Sequence, residues 1–340
     1  VDKITANLVV LMPVYNAELF VAEAIQSLLS QSFSNFKLLI INDASTDNTL
    51  NICESFLDNR IIIYSNTQNL GLTKCLNQGL NMIEATYIAR ADADDTYHPD
   101  RFLLQLDFLK ENSEVGVCGT FANIFGVKNQ IYETAVTDAE IKSRLLFTNP
   151  IVHISVVFRA ELLKNHNLYY DEDFLVGQDY DFWVKISSLT KFYNLPIPLV
   201  NVRTHNQRVT EKRSDLLLQN FNLVRSKQLI SLGVEDCIIN YLNLHHEIVN
   251  TTQSPISYYY YFEVNNWLSI LKKANEEKKI YSEPEFTNLL EQIWLKTMAG
   301  NTHLGLKFGK LFASSSFSPY RRWNTWQKIK FWLKCIFKKR

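Results

Sequence analysis

The stretch Tyr87-Ile-Ala-Arg-Ala-Asp-Ala-Asp-Asp95 sets the reading of this chain. An apolar, strand-like run ends abruptly in three carboxylates, Asp92, Asp94 and Asp95. Three like charges in four residues repel one another unless a cation sits among them. Carboxylate oxygens suit hard ions such as Mg2+ or Mn2+, and a cation at a strand end is well placed to clamp a diphosphate. The same residues also read as a solvated acidic turn ahead of a helix opened by His98-Pro99-Asp100. The surrounding sequence separates the two readings.

On either side of this stretch, strand and helix patterns alternate through the first 210 residues. Leu8–Val14 reads as a buried strand. Residues 18–31 follow with apolar side chains at 20, 21, 24, 25, 28 and 29, which is helical spacing. Phe36–Ile41 is a second strand, ended by Asn42-Asp43, and Ser45 suits the N-cap of a helix running to about Leu57. Ile61–Tyr64 reads as a strand, Leu72–Ile83 as a helix and Tyr87–Ala91 as a fourth strand. This order predicts an α/β fold, a mostly parallel sheet with helices on both faces. Ligands of such sheets bind beyond the carboxyl ends of the strands. Tyr15-Asn16, Asp43 and Asp92/Asp94 all stand at that edge. Neither GxGxxG nor GxxxxGK[ST] occurs, which excludes a standard dinucleotide site and a P-loop.

Past Arg213 the pattern becomes helical, with expected helices at Leu216–Ile230, Val234–Val249, Tyr258–Lys273 and Glu285–Met298. Three parts are expected: residues 1–211 as the α/β domain, 212–312 as a helical accessory region, and 313–340 as a linker (Ser314–Ser318) with a basic tail. Hydrophobic residues make up 46% and charged ones 21%, so the chain is globular. Net charge is zero, but Glu291 is the last acid and residues 292–340 hold eleven Lys/Arg, so residues 1–291 carry −11. Five widely spaced cysteines without a CxxC pair argue for a reducing compartment and against a disulfide framework or zinc site. Leu8–Val14 is too short for a signal peptide, and no run is long enough for a spanning helix. The chain opens on Val1, which leaves room for residues upstream.

Five segments together resemble family 2 glycosyltransferases of the GT-A fold. Met12-Pro13-Val14-Tyr15-Asn16 is similar to the family's P-x-Y-N opening, and Ile41-Asn42-Asp43-Ala44-Ser45-Thr46-Asp47 to its D-D-G-S-T-D turn. Asn69-Leu70-Gly71 with Lys74 and Asn77-Gln78-Gly79 is similar to N-x-G-x-x-x-A-R-N-x-G. Asp92-Ala93-Asp94 is the DxD, and Gly177-Gln178-Asp179-Tyr180-Asp181-Phe182-Trp183 is similar to E-D-x-D-x-W. The resemblance covers about residues 1–210 and depends on all five lying in register.

The resemblance implies roles for these residues. Pro13, Tyr15, Asn16, Asp43, Asn69, Gly71, Lys74, Asn77, Arg90 and Asp92 would line the nucleotide site. Tyr15 would stack on a base, and Asp43 would accept from the imide N–H of uracil. The plainer readings are a core aromatic for Tyr15 and a turn residue for Asp43. Asn42 departs from the family's first Asp. Asp94 would hold a divalent metal, Mn2+ or Mg2+, with Asp92 and with His205, which follows the strand Pro198–Arg203. Asp95 is expected to cap the next helix. Arg90 either neutralises phosphate or balances the aspartates.

Asp179 would be the general base of an inverting displacement, and it also suits the N-cap of the helix Tyr180–Ser188. Gln178 stands where the family has Glu, which puts acceptor identity in doubt. Gln178 and Trp183 are acceptor-side candidates. His153, in Asn149-Pro150-Ile151-Val152-His153 before the strand Ile154–Phe158, either joins them or is a satisfied buried histidine.

Residues 321–340 hold eight Lys/Arg and no acid. On a helix, Trp326, Ile329, Trp332, Leu333, Ile336 and Phe337 share an arc of about 140°, with Lys330, Lys334 and Lys338 outside it. That pattern suits an anionic membrane surface. The other readings are nucleic acid, which the acidic body opposes, and packing on the protein's own body. The expectation is a hexosyltransferase-type enzyme, peripheral at the cytoplasmic face of the plasma membrane. Its donor would be a nucleotide-sugar, UDP-linked by the resemblance, and its acceptor a glycan or lipid-linked oligosaccharide. A polyprenyl-phosphate glycosyltransferase and a catalytically silent nucleotide-binding scaffold are the alternatives.

Overall fold

The computed structural model describes residues 3–127, 129–204, 214–250 and 257–337. The chain divides into two compact units, Val1–Ile141 with Asn149–Phe221, and Lys142–Thr148 with Asn222–Arg340.

The first unit is built on one nine-stranded sheet. Its opening half alternates β1 (Ile4–Val14), α1 (Val21–Leu29), β2 (Phe36–Asn42), α2 (Thr49–Glu54), β3 (Ile61–Ser65), α3 (Leu72–Met82) and β4 (Ile83–Arg90). Strands β3, β2, β1 and β4 lie side by side and parallel. Then come β5 (Thr96–Tyr97), α4 (Arg101–Glu111), β6 (Val115–Gly126), β7 (Gln130–Tyr132), α5 (Asp138–Leu145), β8 (Val157–Arg159), α6 (Glu161–His166), α7 (Gln178–Ile186) and β9 (Lys191–Thr204). Here β8 is antiparallel to β4 and β6, while β6 and β9 run parallel.

Side chains of a strand alternate between its faces, and β1 is buried without a break from Leu8 to Val14, so helices cover both faces of the parallel half. Leu8, Val10, Met12 and Val14 of β1 pack with Val21, Ile25 and Leu28 of α1 and with Phe102, Leu106 and Leu109 of α4. On the other face Leu11 meets α3 at Gly79, where an added Cβ would lie 2.2 Å from the leucine Cδ1. That glycine lets helix and strand approach closely enough to hold the strand ends in register.

Several boundaries differ from expectation. Ser45 caps no helix, because α2 starts at Thr49. Its hydroxyl instead accepts from the Asn16 backbone N–H at 3.1 Å. The strand expected over Ile154–Phe158 is a 3-10 turn at His153–Ser155 followed by β8. The strand expected from Pro198 is the second half of β9, which begins at Lys191.

The second unit is helical: α8 (Ser214–Leu232, entering from the first unit), α9 (Ile238–Asn250), α10 (Tyr258–Lys278), α11 (Glu285–Met298), α12 (Leu306–Ser314) and α13 (Thr325–Ile336). Trp267, Trp294, Tyr261, Phe286 and Phe308 fill its core. His245 is buried there, accepting from the Trp267 indole N–H at 3.1 Å. Burial pushes its pKa down to about 3, so it is a neutral packing residue. The expected linker is packed too: Phe317 is 1% exposed, and Ser315 and Ser318 are buried. No described helix is long and apolar enough to cross a membrane.

Candidate active site

Tyr15, Asp43 and Asp92 leave the sheet at one edge, because β1, β2 and β4 are parallel neighbours. Pro13 is buried one residue before the end of β1, and Tyr15 just beyond the strand is 49% exposed. Asn16 takes a left-handed φ of 48°, and its Oδ1 accepts from the Thr46 N–H at 2.8 Å. This bond ties the first loop to the turn after β2 and leaves the Tyr15 ring facing solvent.

Asp43 is buried and densely bonded. Its carboxylate accepts from the Leu70 and Gly71 N–H groups at 2.8 Å each and from Asn66 Nδ2 at 3.0 Å. Burial alone would raise its pKa. The donors, with the Cys75 thiol, outweigh that and hold it below the usual aspartate value. Asp43 therefore anchors the Asn69-Leu70-Gly71 turn, where Gly71 takes φ 88° with open space at its Cα. Asn69 is exposed and reaches the Asp43 carbonyl at 3.4 Å. Lys74 is exposed on α3. Asn77 is buried, exchanging hydrogen bonds with the backbone of Tyr170 at 2.9 Å.

The three aspartates after β4 converge. Carboxylate oxygens of Asp92, Asp94 and Asp95 all lie within 4.8 Å of one another. Asp92 and Asp94 are half-buried. Asp95 is buried, and it caps no helix: α4 begins at Arg101 behind Asp100. Its Oδ1 accepts from the Arg203 backbone N–H of β9 at 2.7 Å, which turns the carboxylate inward.

Arginines and a tyrosine hold the turn. Arg90 is 2% exposed and ion-paired with Asp92. Arg203 Nε donates to the Asp94 carbonyl at 3.1 Å, and the Tyr97 hydroxyl lies 2.7 Å from Asp92 N and 3.0 Å from Asp92 O. Arg101, wholly buried, donates to the Arg90 carbonyl at 3.0 Å and lies over the Tyr97 ring. Oxygen donors at this spacing fit a hard divalent cation. His205, expected to join them, lies outside the described residues.

Asp179 stands in the first turn of α7, behind Gly177 at φ 73°. It is half-buried, and its Oδ2 accepts from Asn149 Nδ2 at 2.8 Å. Burial pushes its pKa up to about 6. The helix N–H groups and Asn149 oppose the rise, and the negative charge of Asp92 adds to it. That coupling puts Asp179 in the same electrostatic neighbourhood as the aspartate turn.

His153 lies 3.0 Å from the Tyr170 hydroxyl. Burial first, then the Arg90 charge, holds its pKa well below the usual histidine value. Gln178 is buried, and Trp183 has no exposed surface. Trp183 packs among His153, Phe158, Phe182 and Phe192, so it positions α7 and presents no face to an acceptor. Residues without an assigned role in the sequence reading are Asn149, Tyr97, Tyr170 and Arg203. Asn149 and Arg203 stood in segments already singled out, the run from Asn149 to His153 and the strand Pro198–Arg203 ahead of His205, whereas Tyr97 and Tyr170 gave no local signal.

The chain is similar to known proteins in sequence and in fold. The family described as Glycosyl transferase family 2 matches residues 9–163. An uncharacterized glycosyltransferase of Haemophilus influenzae is 30% identical over 283 residues, 76% of this chain and 86% of that protein. This chain belongs to glycosyltransferase family 2. Its GT-A fold is also that of solved transferases. Staphylococcus aureus TarS 1–349, solved with UDP-GlcNAc, aligns with a TM-score of 0.58 at 15% identity, covering 93% of this chain and 89% of that one. The mannosyltransferase PcManGT of Pyrobaculum calidifontis, solved with GDP-Man and Mn2+, gives 0.52 at 16% identity and covers all of this chain and 90% of that one. Among relatives by sequence, the minor teichoic acid biosynthesis protein GgaB of Bacillus subtilis is 30% identical over 220 residues, 61% of this chain but 23% of GgaB. The enzyme is thus a glycosyltransferase, and the aspartate turn and Asp179 both lie in its first unit.

Proposed function

We propose that this glycosyltransferase is metal-dependent and inverting. Its donor is a UDP-sugar, and its acceptor is a hydroxyl of a glycan or lipid-linked oligosaccharide in surface polysaccharide synthesis. The reaction runs at the cytoplasmic face of the plasma membrane. The observation that carries this reading is the convergence of Asp92, Asp94 and Asp95 oxygens within 4.8 Å, at the sheet edge where Tyr15 is exposed. TarS with UDP-GlcNAc and PcManGT with Mn2+ support the donor and the metal, and GgaB supports the acceptor class.

Asp94 and Asp92 would hold the cation, with His205 as a further ligand. Bound there, the metal supplies charge neutralisation for the departing diphosphate, worth several kcal/mol in order of magnitude. Tyr15 stacks on the base, and the turn anchored by Asp43 frames it. Asp179 accepts the acceptor's hydroxyl proton as that oxygen attacks the anomeric carbon. The bond from that carbon to the diphosphate breaks, and UDP leaves with the electron pair. A pKa of about 6 suits this role, because the group is ionised near neutrality yet more basic than an ordinary aspartate.

UDP titration calorimetry with Mn2+ and with EDTA tests the assignment. Binding should need the metal, and Asp94→Ala should abolish the metal-dependent part together with activity. UDP bound as tightly in EDTA as in Mn2+ would sink it.

A further inference from the structure

We infer that helix α13 is a two-faced element. One face is fixed in the second unit, and the other docks on a bilayer bearing anionic headgroups. The inner face is Phe331 and Cys335, 9% and 1% exposed. It is held by Trp332, whose indole N–H donates to the Tyr320 hydroxyl at 2.7 Å. At Gly309 of α12 the two helices approach so closely that a Cβ would lie 2.7 Å from the Trp332 ring and 3.0 Å from Cys335 Sγ. An Asn324/Gln327 capping box fixes where the helix starts. Its orientation is therefore set by packing.

The opposite face is left apolar and bare. Trp326, Ile329, Leu333, Ile336 and Phe337 are 71%, 44%, 46%, 53% and 65% exposed. At about 100° per residue these five share an arc of about 100°, centred opposite Phe331 and Cys335. Five contiguous large apolar side chains on one rigid face are unusual on a soluble surface.

The charges choose the occupant. Lys330 and Lys334 are exposed along one border of the ridge and form no ion pair among the described residues. No acidic residue follows Glu291, and the sequence ends Lys338-Lys339-Arg340. An apolar ridge bordered on one side by lysines matches the depth profile of an anionic leaflet, with hydrocarbon beneath phosphate. A second copy packed antiparallel would set the basic border of each helix against that of the other, and nucleic acid offers nothing for the ridge to enter. The inference needs no assumption about donor or acceptor, although it would bring the enzyme to a lipid-linked acceptor.

Removing residues 321–340 would uncover the core that Phe331 and Cys335 close, so point substitutions on the outer face make the better test. The full chain is sedimented with phosphatidylcholine vesicles, with and without phosphatidylglycerol, at low (~50 mM) and high (~500 mM) salt. The wild type should bind the anionic vesicles and lose about tenfold at high salt. The variant Trp326→Ser/Leu333→Ser/Phe337→Ser should bind at least about tenfold more weakly. Lys330→Gln/Lys334→Gln should weaken binding to anionic vesicles alone. Melting temperature and UDP affinity are measured in parallel and should not change, which separates this inference from the transferase reading. Wild-type protein that binds UDP but ignores anionic vesicles at low salt overturns it. So does a wild-type dimer that the triple variant converts to monomer without any vesicle binding.

Discussion

Two sets of carboxylates in the first unit receive opposite treatment. Asp43 and the Asp92–Asp95 turn are held by donors: three N–H groups and a thiol on the Asp43 carboxylate, Arg90 on that of Asp92 and the Arg203 backbone N–H on that of Asp95, while Arg203 Nε and the Tyr97 hydroxyl hold the backbone of the turn. Asp179 has the helix N–H groups and one amide, Asn149, and its pKa rises to about 6 while that of Asp43 falls. A carboxylate wrapped in donors is a fixed charge, fit to shape a loop or hold a cation. One whose desolvation outweighs its donors can take a proton near neutral pH. One residue type thus serves binding and proton transfer in the same unit, and the environment sets which.

Removing the basic carboxylate tests this contrast most severely. Asp179→Asn should lower transfer by roughly 10²-fold or more while UDP affinity stays near wild type, because the group acts on the acceptor. The same variant has a stability signature. The folded-state pKa of Asp179 is raised, so its ionisation opposes folding above an unfolded value of about 3.9. The asparagine variant should therefore melt higher than wild type at pH 7.5, and the gain should vanish as pH falls below about 4. Wild-type turnover would leave Asp179 a helix-start residue and nothing more.

The parallel half of the fold was legible because it is local. Each strand, turn and helix through Arg90 sits in a contiguous window, and the donor-side motifs punctuate it. The second half was not. Pro196 and Pro198 interrupt β9, and neither can donate to a ladder, so a sequence reading starts the strand only at Pro198. The chain solves this through β6, whose register shifts between Thr120 and Ala122 lie opposite those prolines. The Asn77–Tyr170 and Asn149–Asp179 contacts join residues 93 and 30 apart, which no periodicity reports. Ser45 and Asp95 misled for a related reason. Both are good local caps that tertiary partners, Asn16 and Arg203, claimed first. In the tail, spacing showed an amphipathic helix but not that Phe331 and Cys335 would be its buried side.

On the donor-rich side of the contrast, Asp43→Ala strips the acceptor from two backbone N–H groups and Asn66. Leaving such groups unpaired costs about 2 kcal/mol, and chemical denaturation of the first unit should show it at pH 7. The pKa of Asp43 is lowered in the folded state, so its stabilisation is complete above the unfolded value of about 3.9 and is lost as pH falls through the folded one. The deficit of the variant should accordingly narrow in acid. UDP affinity should fall as well, since the Asn69–Gly71 turn loses its anchor. An unchanged midpoint would mean that the turn holds itself, and that the many donors around Asp43 do not matter.

The finest test changes the environment of Asp179 and leaves the carboxylate in place. Asn149 donates to its Oδ2 at 2.8 Å and favours the charged form. Asn149→Ala removes that donor, so the pKa should climb above 6 by about 0.5–1 unit. The acid limb of kcat/KM should move up in pH by the same amount, because more of the base is protonated at any given pH. Activity should then be lower by about 1.5- to threefold at pH 6.5 and recover near pH 8.5, where both forms are ionised. A loss of equal size at every pH would have a different cause. Asn149 would then fix the orientation of Asp179 without tuning its proton affinity.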